Sequence, residues 1–188
     1  GEAGAEAGAA DAADAPTASA EAADARTTSA ESGSSEALEC AAFGDAVQAS
    51  CAAQAGIIDA AVDLVIEVRD RVLARRELVG VELGRTAARS VLADVKRCAV
   101  TEVQLKAGYG VTEARTLVAL ALAAERLREV IAESMRRGES SWPLVRHFWE
   151  SSAQLTDDQR FLVATALFGL DEELAVPERL DPDGGLVT

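Results

Sequence analysis

Six cations, Arg85, Arg89, Lys96, Arg97, Lys106 and Arg115, fall in a stretch that reads as two amphipathic helices around a glycine turn. Lysine and arginine so clustered can neutralise phosphates, the means by which proteins grip nucleic-acid backbones. Arg85, Arg89 and Lys96 recur along one flank of the first helix, and Arg97 points further away. A helix-turn-helix would offer side chains near the start of its second helix to the major groove. Here those positions are Thr112, Glu113, Arg115 and Thr116. Arg115 is the one strong reader among them, while Glu113 would repel phosphate. Lys96, Arg97 and Lys106 would grip backbone. Ordinary antiparallel packing of two helices explains the same pattern, and the near-neutral charge of the surrounding domain favours it.

Other chemistry finds little support. His147 is the only histidine and stands among Trp142, Pro143, Val145, Phe148 and Trp149. With no second histidine or nearby cysteine it lacks partners for a metal, so a partly buried packing role is expected. The serines have no other imidazole base, and neither a G-x-S-x-G elbow nor a phosphate-binding glycine loop occurs. Asp157 and Asp158 open a helix, where carboxylates favour the dipole. Asp171, Glu172 and Glu173 fall in linker-like sequence. No catalytic, cofactor-binding or metal-ligating residue is therefore assigned. Cys40, Cys51 and Cys98 have neither zinc nor disulfide-framework spacing and read as free thiols of a reducing cytoplasm.

Helices must position the cations. Gly1 to Ser35 contains no Leu, Ile, Val, Phe or Trp. Such a segment cannot offset its ordering entropy, so residues 1–35 are expected to form a disordered acidic tail in which alanine permits only transient helix. Ser35 is expected to cap a short helix, Glu36 to Ala55, with Leu38, Ala42 and Val47 inward. Gly56 then separates it from a stronger helix, Ile57 to Val79, with Ile58, Ala61, Val62, Val65, Val68, Val72 and Val79 on one side. Thr86 to Lys106 presents Ala88, Val91, Leu92, Val95, Ala99 and Val103. One long helix is expected from Glu113 to Arg137, capped by Thr112 and stopped by Gly138. Its stripe is Leu117, Leu120, Ala121, Ala124, Leu127, Ile131 and Met135, widened by Val118 and Leu122. A short helix follows from Ser141 to Ser152. Thr156 and Gln159 spell a capping box for a last helix with Leu162, Val163, Ala166 and Leu167 inward. Residues 171–188 read as an acidic linker or tail. The fold class is all-α, a bundle of five or six helices over residues 36–170.

The charge is unevenly spread. Ten acidic residues face one basic residue between Gly1 and Asp45, while fourteen acidic and fifteen basic residues lie between Ala46 and Glu150. The net charge of −14 therefore resides in the flanks. Alanine supplies 40 residues of the apolar 49%, so the core must come from Leu, Ile and Val. Aromatics at 4% are too few for stacking along a single strand. With no uninterrupted apolar run of about 18 residues, no membrane span is expected. The acidic start has no signal-peptide pattern. A start at Gly1 instead of Met is expected of a piece of a longer protein.

Glu102-Val103-Gln104-Leu105, Val111-Thr112, Glu113-Ala114, Ala123-Ala124-Glu125-Arg126-Leu127 and Arg137-Gly138-Glu139 occur in that order. Leu144-Val145-Arg146 and Leu155-Thr156-Asp157-Asp158-Gln159 follow. The series resembles the actinobacterial 13E12-repeat family, the domain of unknown function 222, over about Gly56 to Gly169. Gln104 and Lys106 replace small apolar residues of the family's pattern, and the turn carries an extra glycine. Members commonly continue into an HNH nuclease domain, whose His and Asn surround a metal-bound phosphate. This chain has no second histidine, HNH spacing or zinc-knuckle cysteines, so nuclease activity does not carry over to its residues. The resemblance implies a non-catalytic helical module that assists duplex DNA engagement. The alternative is a scaffold for a partner protein or for homo-oligomer formation. Neither reading requires a membrane or a small-molecule ligand.

Overall fold

The computed structural model describes residues 21–186. The chain divides into two compact units, Gly1–Phe43 and Gly44–Thr188. In the first, helix α1 (Glu21–Arg75) begins within the segment expected as a tail, and Ser35 lies inside the helix instead of capping one. Residues 1–20 of the expected tail, and the side chain of Leu38, lie outside what is described.

In the second unit α1 continues to Arg75 and passes through Gly56 without a break. A lone glycine weakens a helix by about 1 kcal/mol, which the flanking burial overrides. Cys51, Ala55, Ile58, Ala61, Val65, Val68 and Val72 are buried at helical spacing. Ala42 and Val47, expected inward, are exposed, and among the described side chains the buried face of α1 starts at Cys51. The stretch Cys40–Arg75 is long and apolar enough, at mean hydropathy 1.5, to cross a membrane by length and composition. Its polar face nonetheless carries Asp59, Asp63, Glu67, Arg69, Asp70 and Arg71, all exposed. Val79, expected on the apolar stripe, is 69% exposed and lies past the end of α1. The end is set by Glu77 in the left-handed region (φ 58), with the amides of Glu77 and Leu78 reaching back to Ala74 and Leu73.

Helix α2 (Arg85–Ala107) buries Val91, Val95, Ala99 and Val103. Leu92, expected inward, is 43% exposed, and Ala88 is exposed. The long helix expected from Glu113 to Arg137 is two: α3 (Val111–Ala121) and α4 (Glu125–Arg136). Between them Ala124 takes an extended conformation (φ −55, ψ 137) and is exposed, although it sat on the expected stripe. Leu117, Val118, Leu120, Ala121, Leu127, Ile131 and Met135 are buried as the periodicity required. The first α3 residue is Val111, with Gly110 instead of Thr112 at the cap position.

Helix α5 (Trp142–Ser151) follows Gly138, whose φ of 81 no other residue adopts readily. A Cβ there would also meet Gln48 Cγ at 2.8 Å. Helix α6 (Asp157–Phe168) has its capping box: Thr156 Oγ1 accepts from the Gln159 amide at 3.3 Å, and Gln159 Oε1 accepts from the Thr156 amide at 3.0 Å. Its buried face is rotated from the one expected. Leu162 (61% exposed) and Val163 (39%) point outward, while Ala164 and Phe168 are buried. Aromatics choose the face: Phe168 meets Phe148 edge-on at 5.3 Å, and Phe161 lies under the Arg126 guanidinium.

One core draws on α1 to α6 of this unit. Residues 171–186 carry a 3-10 turn, Pro177–Arg179, and fold back on the bundle. Arg179 donates to the Gly169 carbonyl at 2.7 Å and to Glu139 at 3.3 Å. The described residues are all-α, apart from an isolated Leu180–Leu186 bridge.

Candidate nucleic-acid interface

The groove between α2 and α3 exists because of a glycine joint. Gly108 ends α2 in the left-handed region (φ 69), its amide bonded to the Gln104 carbonyl at 3.0 Å. Gly110, extended, then starts α3. The two helices return side by side. A cavity of about 510 Å³ opens along them, lined by Lys96, Arg97, Val100, Thr101, Gln104, Val111, Arg115, Val118 and Ala119. Its floor is apolar, its rim is cationic, and no carboxylate lines it.

The structure brings three of the six expected cations, Lys96, Arg97 and Arg115, to this one groove. Arg85 and Arg89 continue the Lys96 flank toward the start of α2, and both are exposed. Lys106 is separated from them: it sits 3.6 Å from Glu102 and lines another cavity with Ile57 and Leu64 of α1. Arg97 is ion-paired with Asp94, which also holds Arg76. Arg85, Arg89, Lys96 and Arg115 have no ion pair among the described residues, so their charge faces solvent. Thr101 was not singled out from sequence, and Gln104 was named only as a departure from the family's pattern, not as a contact. Their spacing from Arg97 (i+4 and i+7) places them on its face and could have identified them.

The positions expected to read bases are largely engaged elsewhere. Glu113 accepts from Trp142 Nε1 at 2.7 Å, and the Trp142 amide donates to Gln54 Oε1 at 3.0 Å. Trp142 thereby ties α3, α5 and α1 together. Thr116 is buried, its hydroxyl donating to the Thr112 carbonyl at 3.2 Å. Arg115 and Thr112 remain exposed. Beside them, burial and, second, the Glu113 charge hold the Tyr109 phenol above its ordinary value, so it stays protonated.

His147, expected to be partly buried, is exposed. It stands at the mouth of a cavity of about 550 Å³ floored by Phe148, Leu155 and Phe168. Its helix turns Val145 and Phe148 inward, which leaves position 147 outside. Among the described residues no three His, Cys, Asp or Glu side chains are grouped to hold a metal ion. The three cysteines are unbonded, Cys51 being buried and Cys40 exposed. Comparison with protein-family models, with curated proteins and with solved structures finds no match to this chain.

Proposed function

We propose that this chain is a non-catalytic helical module that holds duplex DNA by its phosphates in the α2–α3 groove, in the service of an HNH endonuclease-like protein. The observation that carries the DNA contact is the convergence of Lys96, Arg97 and Arg115 on a groove that no carboxylate lines. The tie to a nuclease rests on the resemblance to the 13E12-repeat family. Because Glu113 and Thr116 are engaged within the protein, the contact is to backbone more than to base edges. Fluorescence anisotropy of the whole chain with a labelled duplex tests the reading. Affinity should fall with salt at a slope of roughly −0.9 per phosphate neutralised, hence about −3 for the groove. Lys96→Glu with Arg97→Glu and Arg115→Glu should abolish binding, whereas Lys106→Glu should leave it intact. Absence of binding at low salt, or indifference to the triple change, rejects the proposal.

A second reading, a protein-interaction scaffold, is favoured by the exposure of Leu144, Leu162, Val163, Leu170 and Leu174 around α5, α6 and the segment that follows. A strict monomer in light scattering, together with an empty pull-down, would remove it.

A further inference from the structure

The α3–α4 joint is built from residues that prefer not to bend. Leu122, Ala123, Ala124 and Glu125 are all strong helix formers, and the joint contains no glycine or proline. Ala124 occupies the cap position of α4 with no side-chain hydrogen bond. Across the joint the Ala123 amide reaches back only to the Leu120 carbonyl at 3.0 Å and the Leu127 amide only to the Ala124 carbonyl at 3.0 Å, three-residue bonds where a continuous helix would pair amides with carbonyls four residues back. The buried stripe also stays in phase across the joint: Leu117, Leu120 and Ala121 before it, Leu127, Ile131 and Met135 after it.

We propose that α3 and α4 can straighten into one helix through Leu122–Glu125, so that two copies of this chain exchange α4, α5 and α6. The contacts holding the later block in place cross to elements before the joint. Arg136 pairs with Asp59 at 2.7 Å, Trp142 Nε1 donates to Glu113, and Ile131 and Met135 enter the shared core. A second copy supplies the same partners unchanged. Contacts within the block, such as Arg126 with Asp158 and Phe148 with Phe168, travel with it. Only the joint itself differs between the closed and exchanged forms, which is the condition for domain swapping. The inference is independent of the nucleic-acid reading.

The test is refolding of the whole chain from denaturant at high concentration, followed by size-exclusion chromatography with light scattering. A dimer that reverts slowly on dilution is expected. Glu125→Pro should eliminate it. Proline is at home in the first helical position, and Ala124 already holds the extended conformation that a following proline demands. In a straight helix the same proline would break the ladder. Ala124→Asp, which caps the bent form at two joints per dimer, should lower the dimerisation constant at least about fivefold. It guards against misfolding of the proline variant. A chain that stays monomeric after such refolding, or a dimer unaffected by Ala124→Asp, overturns the proposal, as does one that survives in a folded Glu125→Pro protein.

Discussion

Two joints flank α3, and they are made by different physics. At Gly108–Gly110 the backbone itself demands the turn: one glycine is left-handed and the next is extended. Nothing lies within 4 Å of where a Cβ would be on Gly108, so its left-handed conformation, not crowding, fixes the residue type there. At Leu122–Ala124 no residue demands a turn, yet the chain bends. What holds that bend is distant: Leu127, Ile131 and Met135 reach the core, and α4 meets α1 and α6 together. Local and tertiary terms thus each make one corner of the same bundle.

The largest effect should come from removing the tertiary term. Ile131 is fully buried in the core. Ile131→Ala should cost about 2–5 kcal/mol, measured by urea unfolding followed through Trp142 and Trp149 fluorescence. A loss below about 0.5 kcal/mol would mean that burial of α4 does not hold the second joint. The glycine joint should respond less. Gly108→Ala forces an ordinary residue to φ 69 and should cost about 1–2 kcal/mol in thermal unfolding. An unchanged midpoint would show that this corner, too, is held by packing.

The same contrast explains what the sequence discloses. Helix ends carrying their own chemistry are legible: the Thr156–Gln159 capping box and the stops at Gly108 and Gly138 stand where the residues place them. Ends set by burial are not. Gly56 looks like a breaker and is passed over, because Ala55 and Ile58 are buried on either side of it. Val79 continues a stripe whose helix has already ended at the left-handed Glu77. In α6 the aliphatics suggested one face, and the pairing of Phe168 with Phe148 selected another. The groove was half legible. Helical spacing put Arg85, Arg89 and Lys96 together, set Arg97 apart and named Arg115 as a reader, but bringing Arg97 and Arg115 to one groove with Lys96 and excluding Lys106 required knowing which side of α2 meets α3 and which meets α1.

A smaller, pH-dependent effect should appear where α4 leads into α5. The Arg137 guanidinium, bonded to Glu139 at 2.6 and 2.8 Å, holds that carboxyl below its ordinary value against the opposing effect of burial, and Arg179 adds to it. A carboxyl lowered on folding contributes stability that is complete above its unfolded pKa and is lost as pH falls through the folded one. Stability should therefore decline below the usual carboxylate range, and Glu139→Gln should flatten that part of the profile. An unaltered acid limb in Glu139→Gln would show that the Arg137–Glu139–Arg179 link does not secure this third corner.

The smallest effect is a gain, and it would convert one kind of joint into the other. Ala124 already has the extended backbone of a helix cap but no atom to accept from the first amides of α4. Ala124→Asp supplies that acceptor and a negative charge at the positive end of the helix dipole, at an exposed position where no packing is disturbed. It should add about 0.5–1 kcal/mol in thermal unfolding at neutral pH, and the gain should fade once the new carboxyl is protonated. A loss of stability at neutral pH would mean that the chain resists a local signal here and that the bend depends on an uncapped, yielding joint.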